Sequence, residues 1–193
     1  MSEARPMRAD ARRKREAILA AAGEVFLERG MDVALDEIAR RAGVGIGTLY
    51  RHFPTREALV VGAYVRHMDL LCDGVEDLLA ELPPDEALVV WMRRFIGSAA
   101  EQPGMAVALK AIVHTADSEA VRAGHERIFA ALRRLLDAAE RAGTIRPGVS
   151  ADDLAGALSG FSLITGRPGS RERSDRLVAL LVDGLRHGAP GAP

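Results

Sequence analysis

Ala42-Gly43-Val44-Gly45-Ile46-Gly47-Thr48-Leu49-Tyr50-Arg51-His52-Phe53-Pro54-Thr55-Arg56-Glu57-Ala58-Leu59 is the stretch that decides the fold. Gly43 stands between two short helical patterns, where the turn calls for a positive φ. Before it, Leu35, Ile38, Ala39 and Ala42 share one face of a helix over about Leu35 to Ala42. After it, a helix of about two turns runs from Ile46 to Phe53. On a helical wheel Leu49 and Phe53 lie about 40° apart and point inward. Gly47 and Arg51 face the opposite way, Ile46 and Tyr50 flank one side, and Thr48 and His52 flank the other. A helix so short and polar is no core element. It has the size of one that enters a DNA major groove while its neighbours hold it, with hydrogen-bonding side chains for the phosphates of both walls.

Working outward, every other segment reads as helix and none as strand. The predicted fold class is all-α: a three-helix helix-turn-helix head, a long connecting helix and a helical body, about nine helices in all. The first helix runs from about Asp10 to Arg29, with Ile18, Ala22, Val25 and Phe26 on its buried face and Gly30 as its stop. Thr55 caps the fourth through its hydroxyl, and Glu57 sits at its positive end. That helix continues to about Leu79, a span of about 36 Å, before Pro83-Pro84. Further helices are expected over about Asp85–Glu101, Met105–His114 and Ser118–Gly143. Two more run to Gly166, from a capping box at Ser150-Ala151-Asp152-Asp153, and from Arg171 to His187.

Composition narrows the function. Of 193 residues, 48% are hydrophobic and 27% charged, enough for a sizeable core and against wholesale disorder. The net charge of −1 hides an asymmetry: residues 1–66 hold 12 Lys+Arg against 9 Asp+Glu, and the remainder 14 against 18. Lys14 and Lys110 are the only lysines, so the positive charge is nearly all arginine, a bias that suits bidentate phosphate contact and equally follows from a GC-rich genome. Cys72 is the single cysteine, which excludes an intrachain disulfide and a multi-thiolate metal site and reads as a buried, inert thiol. The basic N-terminus lacks the apolar run of a signal peptide, and no uncharged stretch is long enough to span a membrane, so a cytoplasmic protein with no membrane partner is expected.

The ordered string of helix one ending in Phe26…Gly30, then Ile38-Ala39…Ala42-Gly43-Val44, Gly47-Thr48-Leu49-Tyr50…His52-Phe53 and Thr55-Arg56-Glu57…Leu59 resembles the tetracycline-repressor-like (TetR) family of bacterial transcriptional regulators, over roughly Ala11 to Tyr64. The resemblance implies a DNA-binding domain over 8–54 and a ligand-binding and dimerisation domain over 55–188, joined by the fourth helix at about 55–79. It implies a DNA-contacting set of Gly45, Ile46, Gly47, Thr48, Tyr50, Arg51, His52 and Arg56. Tyr50, His52 and Arg56 would hold phosphate, with support from Arg12, Arg13 and Lys14 on helix one. The sequence departs from the family where Gly45 replaces a capping Ser, Ala34 a Thr, Arg56 a Lys, and Ile46 a polar or basic residue. An apolar Ile46 would read a thymine methyl.

Beyond the head the likeness is one of layout. It implies a homodimer through the last two helices, for which Leu154, Leu158, Phe161, Leu177, Leu181 and Leu185 are the candidates. It also implies an apolar effector cavity, with Trp91, Met92, Phe95, Met105, Leu109, His114 and Phe129 as candidate lining and Gly104 as a hinge. For each of these residues ordinary core packing is the alternative. The expected partners are a palindromic operator, a second copy and an unknown small-molecule effector, with no cofactor and no metal. The expected function is a ligand-released repressor. The alternatives are a DNA-binding protein without sequence preference or effector, and a helical enzyme using the body cavity. An enzyme would need a nucleophile with its base or a ligand set, and His52, His67, His114, His125 and His187 show no metal-ligand spacing.

Overall fold

A computed structural model describes residues 4–101, 119–165 and 170–186, all of them helix, turn or loop with no strand among them. The helices are α1 Ala4–Arg29, α2 Leu35–Arg41, α3 Ile46–His52, α4 Arg56–Asp73, α5 Val75–Glu81, α6 Pro84–Glu101, α7 Glu119–Arg141, α8 Ala151–Thr165 and α9 Ser170–Arg186. The helix expected over Met105–His114, with Gly104, lies outside the described residues. The described residues fall into two compact units, one of residues 4–67 and 119–121, the other of 68–101, 122–165 and 170–186.

The first unit closes around a core of α1, α2, α3 and the first half of α4. Ile18, Ala22 and Val25 of α1 are fully buried, with Ile38, Leu49 and Leu59 from the other three helices. Helix α1 begins earlier than the apolar pattern foretells, because Pro6 is tolerated in a first turn and the Arg, Ala and Lys that follow are good helix formers. Gly43 adopts φ +67°. There the Val44 N–H reaches the Ala39 carbonyl (3.0 Å) and the Gly43 N–H that of Arg40 (3.1 Å), so α2 ends in a Schellman turn that aims the chain into α3. Gly62 has a different reason to be glycine. A Cβ there would stand 2.9 Å from Leu19 Cδ2 and 3.0 Å from Phe53 Cε1, so its missing side chain is the notch through which α4 meets α1 and the end of α3.

In the second unit α6 is central, packed against α5, α8 and α9. The fourth helix is shorter than the sequence predicts. It stops at Asp73, and Gly74 (φ −80°, ψ 0°) becomes the N-cap of a separate α5. Gly74 is a poor helix former, yet its angles stray so little that the apolar pattern runs on across the break. The stop frees the last carbonyls of α4, and the Leu71 oxygen accepts the Trp91 indole N–H at 3.0 Å. Pro84 opens α6 at a position where a missing N–H costs nothing. Ile128, Leu132, Leu135, Leu136 and Ala139 line the inner face of α7. Ser150 caps α8 as expected, its hydroxyl accepting the Asp153 N–H at 3.3 Å. Cys72 is half-buried, and burial pushes its thiol up to about 11, against the opposing pull of Arg127.

Two measurements check this packing. Gly62→Ala should lower the melting temperature, because overpacking costs about 1–3 kcal/mol and outweighs the propensity gain. Gly23→Ala, where a Cβ meets nothing within 4 Å, should raise it through about 0.5–1 kcal/mol. For Cys72, alkylation by iodoacetamide at pH 8 should run roughly a hundredfold slower than for free cysteine and recover in urea.

Candidate nucleic-acid interface

The exposed face of α3 is built by what its other face buries. Leu49 is fully buried and Phe53, at its C-cap, is 3% exposed. The Arg15 guanidinium lies over the Phe53 ring, 5.2 Å from its centroid, and holds that end from above. With those two anchors inward, Gly45, Ile46, Gly47, Tyr50 and Arg51 are exposed and Thr48 and His52 half-buried. Tyr50 keeps 49% and Ile46 41% of their surface in solvent, large for an aromatic and a branched aliphatic residue. Neither Gly45 nor Ala34 supplies a side-chain cap, as the sequence indicates. Thr55 does, accepting the Ala58 N–H at 3.1 Å. The backbone N–H of Glu57 and the Thr55 hydroxyl hold the Glu57 carboxyl below its usual range.

The arginines divide into folded-back and tied sets. Arg51 turns onto its own helix, Nε donating to the Gly47 carbonyl (3.1 Å) and Nη2 to Thr48 Oγ1 (3.4 Å). Arg41 is bidentate on Glu28 (2.7 Å each) and reaches Glu24 at 3.2 Å; its hydrogen bonds pull the Glu28 carboxyl down. Arg29 pairs with Glu37, Arg66 with Glu16, and Lys14 and Arg13 with Asp10, whose carboxyl is lowered chiefly by the Lys14 hydrogen bond. Arg56 differs most from expectation. Its Nη1 donates to the Met31 carbonyl (2.8 Å) and its Nη2 to that of Val33 (2.7 Å), so its fork is turned toward the α1–α2 turn. Sequence pattern could not show this, because the acceptors are main-chain atoms 25 and 23 residues away.

In the second unit Trp91 and Met92 are buried, and Phe95, half-buried, stacks on Trp91 at 5.5 Å. Phe129 is half-buried, and Met105, Leu109 and His114 lie outside the described residues. Of the six residues expected to face a second copy, Leu154, Leu158 and Leu185 are 4%, 0% and 6% exposed within the single chain, so they are core residues of the body. Phe161, Leu177 and Leu181 are half-buried. Leu180, which is not among the six, is 68% exposed. Helix α9 carries two apolar stripes, Val178/Val182/Leu185 and Leu177/Leu180/Leu181, and spacing alone does not say which faces inward. Among the described residues no group of His, Cys, Asp or Glu could hold a metal ion, and no helix is long and apolar enough to cross a membrane.

A three-helix head with a buried-anchor, exposed-face α3, in a chain whose second unit is also helical, defines the class of helix-turn-helix regulators. Comparison with known proteins narrows it. Residues 18–63 match the family model for bacterial regulatory proteins of the tetR family, and residues 83–187 the SbtR-like transcriptional regulator C-terminal domain. The chain belongs to the TetR family of transcriptional regulators. It is similar to a TetR transcriptional regulator of Streptomyces coelicolor, 50% identical with TM-score 0.78, over 91% of this chain and 99% of that one. A TetR regulatory protein of Mycobacterium vanbaalenii is 39% identical with TM-score 0.73, over 94% and 99%. The transcriptional activator FasR of Mycolicibacterium smegmatis is 45% identical over 67 residues, 34% of this chain and 31% of that protein. The match thus spans about a third of that curated relative's length.

Gly47 offers a test that separates fold from contact. A Cβ at Gly47 meets nothing within 4 Å among the described residues. Gly47→Ala should therefore leave the melting temperature unchanged or slightly raised, while DNA affinity by fluorescence anisotropy falls.

Proposed function

We propose that the protein is a homodimeric, effector-released repressor that reads a palindromic operator with α3. Residues 8–54 act as the DNA-binding domain and 55–188 as the effector-binding and dimerisation domain. The observation that carries the reading is Tyr50, half exposed on a helix whose opposite face is locked in the core. Tyr50 and His52 contact phosphate, Thr48 and Ile46 meet base edges or backbone, and Gly47 admits close approach. Arg51 swings from its own helix to the groove, since its present bonds are exposed and weak. A second copy sets two α3 helices about 34 Å apart, the repeat of one DNA turn.

The surface for that second copy is the outer stripe of α9, Leu177, Leu180, Leu181 and Gly184, with the outer side of α8. Gly156, Ser159 and Gly160 are exposed there, and small residues let helices approach closely. The stripe follows i, i+3, i+4, i+7 spacing, one face of a helix, and the C-terminal family match covers both helices. The effector is a small apolar molecule held near Trp91, Phe95 and Phe129, and it acts by binding more tightly to the DNA-free state. The protein works in the cytoplasm without cofactor, metal or catalysis. FasR is an activator, and its match covers only 34% of this chain; repression is the family's usual mode.

Fluorescence-anisotropy titration of the DNA upstream of the protein's own gene, against scrambled competitor, tests the reading. The wild type should prefer the operator by roughly a thousandfold or more. Tyr50→Ala should lose about 1.5–3 kcal/mol per half-site, the value of a hydrogen bond to a charged group. Equal affinity for scrambled DNA, indifferent to Tyr50, would favour a protein that binds DNA without sequence preference. Leu180→Glu should shift the dimer to monomer in analytical ultracentrifugation and weaken operator binding. A dimer that survives it unchanged places the interface elsewhere.

A further inference from the structure

Arg56 opens α4, where the positive end of the helix dipole opposes a cation. Its guanidinium is half-buried and turned to two carbonyls, Met31 O at 2.8 Å and Val33 O at 2.7 Å. Both distances are those of charge-assisted bonds. The acceptors belong to the turn between α1 and α2, which the exposed Arg29–Glu37 pair also spans through side chains, whereas Arg56 grips the turn's own main chain. Ala34 gives α2 no side-chain cap, and the Glu37 N–H to Ala34 O bond that starts the helix is long, 3.3 Å. The planar fork can bridge two carbonyls in this way; a lysine ammonium, a single nitrogen on a flexible stem, cannot hold both in fixed geometry.

Three residues, Phe53-Pro54-Thr55, separate α3 from Arg56. The far end of α3 is fixed by the Gly43 turn, which hangs from α2. Helix α3 is thus held at one end by α2 and at the other by the first turn of α4, and Arg56 ties those two supports together through the α1–α2 turn. We infer that Arg56 is a positioning residue that sets the angle of the recognition helix, and is not a phosphate ligand. The inference rests on the DNA-binding reading above.

The test compares Arg56→Lys and Arg56→Gln with the wild type in operator titrations over a range of salt concentrations. A lost phosphate contact would flatten the slope of log affinity against log salt by about 0.9 per half-site. The expected result is that both variants lose affinity, roughly tenfold or more, with the wild-type slope retained. A flattened slope in Arg56→Gln, with lysine restoring affinity, would overturn the inference in favour of phosphate contact. Variants that melt earlier but bind as the wild type at low temperature would overturn it too, leaving Arg56 a stabilising residue only. A wild-type measurement guards against variants that fail to fold. The Arg56 Nη protons should be resolved and slowly exchanging by NMR in the free protein and unmoved by operator; operator-induced shifts of those protons would count against the clamp. If the wild type shows no salt-dependent, sequence-specific binding, the DNA reading falls and the inference with it. If the wild type binds and Arg56→Lys binds equally, only the inference falls.

Discussion

The burial of Leu49 and Phe53 is the contact on which the rest of the head depends. Helix α3 has seven residues, a glycine for its N-cap and another inside its first turn. Alone it would not form, since isolated helices under about 12 residues are marginal even with ideal sequences. Its existence is a tertiary effect. Two apolar side chains fully removed from water contribute about 1.5–3 kcal/mol each, enough to offset weak capping and glycine entropy together. The same two anchors set its rotation, and rotation decides that Tyr50, Ile46 and Arg51 face outward together. Gly62 completes the arrangement by leaving room for Phe53 under α4.

Charge in the head is arranged for exchange. Several basic side chains of α1 and α2 have carboxylate partners, Arg41 with Glu28 and Glu24, Arg29 with Glu37, Lys14 with Asp10. All these pairs are substantially exposed on at least one side, and such pairs are worth about 0–1 kcal/mol. Breaking any one of them therefore costs little, which leaves these side chains available to another anion. Arg56 stands apart because its acceptors are half-buried carbonyls of the main chain.

What the sequence makes legible follows from how local each signal is. The Gly43 turn, the Thr55 and Ser150 caps and the inward face of α1 are written within a few residues, and the structure has each of them. The break at Gly74 is invisible to periodicity, because a glycine at near-helical angles keeps the apolar pattern in register. The two stripes of α9 are equally apolar, and only packing against α6 and α8 selects Val178, Val182 and Leu185 for the inside. The Arg56 clamp is the least legible, since its acceptors carry no side-chain signature. At the α3 face the residue types and their spacing identify the surface, while the binding partner of each arginine depends on tertiary geometry.

Gly62 and Gly47 show how an absent side chain can be traced to its cause. Both sit inside helices, where glycine costs about 1 kcal/mol relative to alanine, so each needs an explanation. For Gly62 it lies within the chain, where Leu19 and Phe53 fill the space a Cβ would take. For Gly47 no described atom comes within 4 Å, and its backbone is ordinary helix. Neither packing nor conformation accounts for it. Gly23, Gly156 and Gly184 are helical glycines with equally open surroundings, so empty space by itself marks no contact; what sets Gly47 apart is its place on the same exposed face as Tyr50 and Arg51. That placement, and not the gap alone, is what ties Gly47 to the groove contact proposed for α3.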